Sequence, residues 1–308
     1  MKISLGVPGT MRVAAMTQAW EYDITTQQIC EAVQLADQLG FYKAMMGEHF
    51  IMPTEHVELS GDYYFHGAVA LAWIAGCTEN IRLTSSVIIL PLQNPIVQAK
   101  AASTLDKLSN GRFEPIYGVG WLREEYDMLK VSFGQRGKMC EEYVQAMIEL
   151  WTSDTPSFQG EFVSFDNCAF APKPVQPGGV PVWFGGDAPA VLARVGRYGS
   201  GWSPFQTPPE KFPEALELAR SQPEYDGREL GVFFALEMLN VGAHHEIKGD
   251  ERSQGNWDAG KIVEQCQWLK SLGVTETIVP VPPVTDFEAY KDRMHWVASE
   301  VMPQVSSL

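Results

Sequence analysis

The chain has 308 residues, 45% hydrophobic and 20% charged, an ordinary balance for a globular protein with enough chain to bury a large core. Its formal net charge of -15 repels phosphate backbones and anionic membranes, so neither a nucleic-acid nor a membrane partner is expected. Five cysteines (Cys30, Cys77, Cys140, Cys168 and Cys266) form no C-x-x-C pair, which argues against a disulfide framework and for a reducing compartment.

The N-terminus, Met1 to Pro8, reads as a strand and is too short for a signal-peptide core. No segment reaches the roughly 18 apolar residues of a membrane span, so a cytoplasmic location is expected. The first strand is Lys2 to Val7. A helix follows from Thr25, with Ile29, Val33, Leu35, Ala36 and Leu39 as its apolar stripe and Gly40 closing it. The second strand spans Phe41 to Gly47, and the next helix Phe65 to Cys77. Ile81 to Ile89 is a near-continuous apolar run, as suits a parallel strand buried on both faces. The third helix starts at Asn94-Pro95 and ends at Asn110-Gly111. The fourth strand is Arg112 to Gly118, and its helix runs from Gly137 to Trp151. Cys30, Cys77, Cys140 and Cys266 all fall in apolar helical stretches, where a thiol packs as a small hydrophobe.

The rhythm then pauses. Thr155 to Gly179 reads as an inserted β-hairpin with a proline-rich return. Alternation resumes with strand Val180–Phe184, helix Ala188–Tyr198, strand Gly201–Pro204, helix Glu210–Ser221 and strand Gly231–Leu239. A polar loop, Gly242 to Asn256, precedes helix Trp257–Leu272, strand Glu276–Val279 and helix Phe287–Val301. Eight βα units predict an α/β chain folded as a (β/α)8 TIM barrel, one domain over residues 1–308 with the hairpin 155–179 inserted after the fourth helix. A doubly wound open sheet competes, but Pro8-Gly9-Thr10 after the first strand is not its glycine-rich fingerprint.

Barrel chemistry sits at the carboxyl ends of the strands. After strand two come Glu48 and His49, a carboxylate beside an imidazole, suited to proton transfer or to bonding a cofactor ring; a histidine capping a loop is the plainer alternative. Ser85 and Ser86 interrupt the buried run of strand three before Val87. They suit a bulge or the close approach of a flat ligand, or else hydroxyls bonded to their own backbone. Gly118-Val119-Gly120 ends strand four, where glycines admit a ligand to the backbone or simply make a turn. Gly185-Gly186-Asp187 ends strand five just before a helix, a place for phosphate. Asp187 could instead be the helix N-cap, and its charge would repel phosphate if it pointed inward. No histidine has metal-ligand spacing, and His244-His245 reads as a solvated surface cluster, so no metal is expected. A nucleophile elbow is missing too.

Together these segments resemble the luciferase-like monooxygenase family, which includes bacterial luciferase and deazaflavin-dependent oxidoreductases. The resemblance runs through Thr84 to Pro91, Asn94-Pro95, Leu105 to Phe113, Gly118 to Trp121, Glu124-Glu125-Tyr126 and Arg136-Gly137, then Pro181 to Gly186 and Tyr198 to Trp202. It looks closest to the coenzyme F420 branch. The resemblance implies a flavin-type ring at the strand ends, a non-proline cis peptide at Ser86–Val87, and His49 with Glu48 at the reactive edge. It also implies cofactor contacts at Ser85, Ser86, Val87, Gly118, Val119 and Gly120, phosphate contacts near Arg136, Gly185, Gly186 and Asp187, and a homodimer. The chain departs at Val119, where luciferase carries a phosphate-binding arginine, and at Trp121, where deazaflavin-dependent sugar-phosphate dehydrogenases carry a glutamate. That speaks for a bulkier, more apolar substrate.

The expected activity is F420-dependent hydride transfer to or from a small organic molecule, with the loop Ile51 to Gly61 as a lid. The alternatives are an FMN-dependent monooxygenase that uses oxygen and a non-catalytic flavin-binding partner subunit.

Overall fold

A computed structural model describes residues 1–236, 258–279 and 282–306. Eight parallel strands form one sheet: β1 (Lys2–Gly6), β2 (Lys43–Met46), β3 (Arg82–Ile89), β4 (Ile116–Gly118), β5 (Trp183–Gly185), β6 (Gly201–Ser203), β7 (Gly231–Val232) and β8 (Glu276–Ile278). Each pairs with the next in sequence, and β8 returns to β1 with Lys2 opposite Glu276. Between β7 and β8 the seam is made by a bridge from Phe233 to Glu276 and by the Phe234 N–H donating to the Glu276 carbonyl at 3.1 Å. The expected barrel is therefore the observed fold.

The helices between them are α1 (Thr26–Leu39), α2 (Gly67–Cys77), α3 (Pro95–Leu108), α4 (Arg136–Thr152), α5 (Pro189–Tyr198), α6 (Phe212–Arg220), α7 (Ala259–Ser271) and α8 (Phe287–Trp296). Local chemistry sets their ends. Thr25 and Gln28 form a reciprocal capping box at the start of α1, and Gly40 ends it at φ 82°. The Asn94 side chain accepts from the Ile96 N–H ahead of Pro95. No helix among the described residues is long and apolar enough to cross a membrane.

Two cores result. The larger lies between strands and helices and takes Ile29, Val33 and Ala36 from α1. The smaller fills the barrel with Met45, Ile116, Trp183 and Phe233. Trp183 explains two glycines on the neighbouring strands: a Cβ at Gly201 or at Gly231 would come within 2.3 Å of its ring. At the amino ends of the strands, the fully buried Lys43 ammonium lies 2.7 Å from Glu276 and 2.9 Å from Glu114, and Arg82 holds the other Glu114 oxygen at 2.5 Å. A charge so buried persists only when paired. This cluster and Trp183 plug the amino-terminal end, so the opposite mouth is the one left for chemistry.

Several boundaries differ from expectation. The second strand is Lys43–Met46 and the fourth is Ile116–Gly118, shorter than predicted; Arg112 to Glu114 join β3 only through the Leu83–Phe113 bridge and its flanking hydrogen bonds. The helix predicted for Phe287–Val301 is α-helical to Trp296 and widens into a π-turn over Val297–Val301. The expected polar loop, with His244 and His245, lies outside the described residues, as does the end of the seventh strand. The hairpin is present: Phe158–Gln159 pairs antiparallel with Ser164–Phe165. Its tip is tied to α4 by the Glu142 carboxylate, which accepts from the N–H groups of Glu161, Phe162 and Val163. Cys140 and Cys266 are buried as predicted, whereas Cys30 and Cys77 are only partly so and Cys168 is exposed. A small antiparallel ribbon, Met11–Arg12 with Tyr63–Tyr64, and a short helix, Arg123–Met128, were not anticipated.

Candidate active site

The chain leaves β2 extended, and successive side chains of an extended segment point to opposite sides. Glu48 and His49 accordingly reach different partners. The Glu48 carboxyl is buried; Oε2 accepts from the Gly67 N–H at 2.9 Å and Oε1 from the Gln93 amide at 3.0 Å. It thus ties β2 to the first turn of α2 and to the loop after β3. Burial, reinforced by the charge of Glu125, pushes its pKa up to about 7 despite these hydrogen bonds.

His49 does not pair with its neighbour Glu48. Its Nδ1 lies 3.0 Å from Glu125 Oε2, and the other Glu125 oxygen accepts from the Phe50 N–H at 2.7 Å. Glu125 comes from the short helix after β4, and its side chain is 1% exposed. A carboxylate engaged at Nδ1 fixes the ring and leaves Nε2 for a ligand. The sequence reading missed Glu125 as a site residue. Its signal was there: Leu122, Glu125 and Tyr126 share one face of that helix, so a carboxylate stands in an apolar row, and all three are buried.

On β3 the bond between Ser86 and Val87 is cis, as the resemblance implied. Pairing with β4 slips at the same place: Ser86 faces Ile116 and Ile88 faces Tyr117, leaving Val87 as the extra residue. The Val87 side chain occupies the room made by two glycines. A Cβ on Gly118 would stand 2.7 Å from it, and one on Gly185 2.5 Å. Neither Thr84 Oγ1 nor Ser85 Oγ, both buried, has a hydrogen-bond partner among the described residues, so these hydroxyls do not bond their own backbone. At Gly6, ending β1, an added Cβ would meet nothing within 4 Å.

Other predicted residues lie further from this floor or are already engaged. Gly120 sits in a turn at φ 65° against Ile89, and the Val119 carbonyl accepts from the Tyr126 hydroxyl. The Gly186 N–H donates to the Ser203 carbonyl and is not spare for phosphate. Asp187 is not the N-cap of α5; Ala188 holds that position. Asp187 Oδ1 instead accepts from the N–H groups of Phe205, Gln206 and Thr207, turned toward the loop after β6. Arg136 opens α4. Its guanidinium lies 3.7 Å from the Phe133 ring centroid, with that of Arg123 at 4.3 Å from the same ring. Neither arginine pairs with a carboxylate among the described residues, in a chain rich in them.

The barrel is the fold that the resemblance to this family implied. The chain belongs to the luciferase-like monooxygenase family, whose model matches residues 1–241. The pyrimidine monooxygenase RutA of Allorhizobium ampelinum is 28% identical over 235 residues, 70% of this chain but only 61% of that protein. The fold is shared with the coenzyme F420 dependent tetrahydromethanopterin reductase of Methanopyrus kandleri at a TM-score of 0.71 and 17% identity, covering 99% of this chain and 100% of that one. It is shared equally with the oxygenating constituent of 3,6-diketocamphane monooxygenase of Pseudomonas putida, solved in complex with FMN, at a TM-score of 0.71 and 14% identity over 99% of both chains.

Proposed function

We propose that the chain is an oxidoreductase that binds a flavin-type cofactor at the carboxyl mouth of the barrel, and that this cofactor is coenzyme F420, acting with a small organic substrate. The observation that carries the reading is the His49–Glu125 pair at the same end of the barrel as Gly6, Gly118, Gly185 and Val87. A flat ring fits such a floor: Gly6, Gly118 and Gly185 bear no side chains, and space is open over Gly6. The two arginines without carboxylate partners, Arg123 and Arg136, suit an anionic cofactor tail.

When bound, the cofactor supplies the two-electron chemistry. The chain's own residues do the rest. Val87, Gly118 and Gly185 would support the ring, and Ser86 would supply a hydroxyl to it. Glu125 holds His49 so that Nε2 can give or take a proton at the substrate. Glu48 keeps the loop carrying His49 anchored to α2. The ribbon and the segment 51–61 exclude water.

A second reading keeps the site and changes the cofactor to FMN with oxygen as co-substrate. The similarity to the pyrimidine monooxygenase RutA favours it. Titrating the purified chain with F420 and with FMN, each oxidised and reduced, tests both. Tight F420 binding with anaerobic turnover is the expected result. Oxygen uptake with reduced FMN selects the second reading, and binding of neither cofactor overturns both.

A further inference from the structure

We propose that Met11, Tyr64, His56 and Trp121 line a slot beside His49 that selects uncharged, ring-bearing substrates, with Trp121 as its specificity-determining wall; this rests on the reading of the mouth as a redox site. The argument starts from the ribbon. Met11 pairs with Tyr64 and Arg12 with Tyr63. Paired residues share a face of a ribbon and their neighbours take the other. The Met11–Tyr64 face lies on the barrel: a Cβ on Gly47 would be 2.9 Å from Met11 Sδ and 3.9 Å from Tyr64 Cε1, and the Tyr64 ring is 5.0 Å from that of His49. The opposite face carries the charge outward. There the Arg12 guanidinium stacks 4.2 Å from the Tyr63 centroid, and its Nη2 donates to the Tyr22 carbonyl at 2.8 Å.

Trp121 supplies the second wall. Its ring meets His49 at 6.2 Å and His56 at 5.5 Å, edge to face in both cases. The two carboxylates beside His49 are buried and already bonded, out of reach of a cationic group: Glu125 pairs with His49 and accepts from the N–H groups of Phe50 and Ile51, and Glu48 accepts from Gly67 and Gln93. An anionic group would find the ribbon's cation on the wrong face. An ion in the slot would be desolvated without a partner, whereas a neutral ring gains edge-to-face contacts.

Three probes sharing one ring, acetophenone, benzoate and benzylammonium, separate the cases by ligand-observed NMR titration of the full chain. Acetophenone is expected to bind about tenfold more tightly than either ion, and Trp121→Ala to weaken it by about the same factor. Trp121→Phe is expected to restore most of that loss, with F420 and FMN affinities unchanged in both variants. Benzoate or benzylammonium binding as tightly as acetophenone would overturn the proposal, as would undiminished acetophenone binding in Trp121→Ala. If the wild-type chain binds neither cofactor, the redox reading fails on its own, and the probe titrations still report on the slot.

Discussion

His49 and Glu125 stand 76 positions apart in the chain and meet at 3.0 Å, bringing the loops after β2 and β4 together at one imidazole. A pairing of this kind assigns one residue to the proton and the other to its aim. His49→Ala is expected to slow turnover by about a hundredfold or more while barely changing cofactor affinity. Glu125→Gln keeps the shape but loses the charge-assisted bond, and a fall in kcat of about tenfold is expected. Stopped-flow turnover beside cofactor titration separates the two effects; unchanged turnover in His49→Ala would remove that residue from the chemistry.

Glu48 gives the fold a pH dependence. Its carboxyl titrates at about 7 when folded and near the ordinary 4.5 when unfolded, so the folded chain holds the extra proton between those values. Stability is then fully present below the unfolded value and is lost as pH rises through 7. Glu48→Gln removes this loss, so the variant should gain on the wild type by roughly 3 kcal/mol between pH 4.5 and pH 8. Urea midpoints across that range measure it; parallel curves would refute it.

Among the described residues, Lys43 is the only cation that touches both Glu114 and Glu276. Lys43→Met leaves those carboxylates buried without their shared ammonium, and a loss of about 3–5 kcal/mol is expected from denaturant unfolding. A loss below 1 kcal/mol would mean the pair is better solvated than its burial implies.

Val87 and Gly185 form a lock that a double-mutant cycle can open. Gly185→Ala sets a methyl 2.5 Å from the valine and should cost about 1–3 kcal/mol. Val87→Ala in the same chain should recover part of that cost, so the two changes would be non-additive. Strict additivity would show that the strand ends shift freely.

Much of this architecture could be read from the sequence because it is local. Strand runs, capping residues and glycine stops set each βα unit, and β3 was visible as a near-continuous apolar run. The positions of Ser86, Val87, Gly118 and Gly185 followed from where the strands end. What escaped was whatever depends on two distant segments meeting. The sequence placed Glu48 beside His49, but an extended chain sends neighbours to opposite sides, so the true partner came from another loop. Asp187 looked like a helix cap because it precedes α5, yet three N–H groups of the loop after β6 compete for it and win. The Met11–Tyr64 ribbon is two residues wide, too short for any periodicity to reveal.

The indole and the salt-bridged lysine beneath it give the barrel a solid base. Among the described residues that end is filled, so a cofactor and a substrate bound as proposed would share the one doorway at the rim, and a bulky occupant would delay whatever lies deeper. Turnover should therefore follow an obligatory order of departure, visible as a product-inhibition pattern, with the last guest in being the first out.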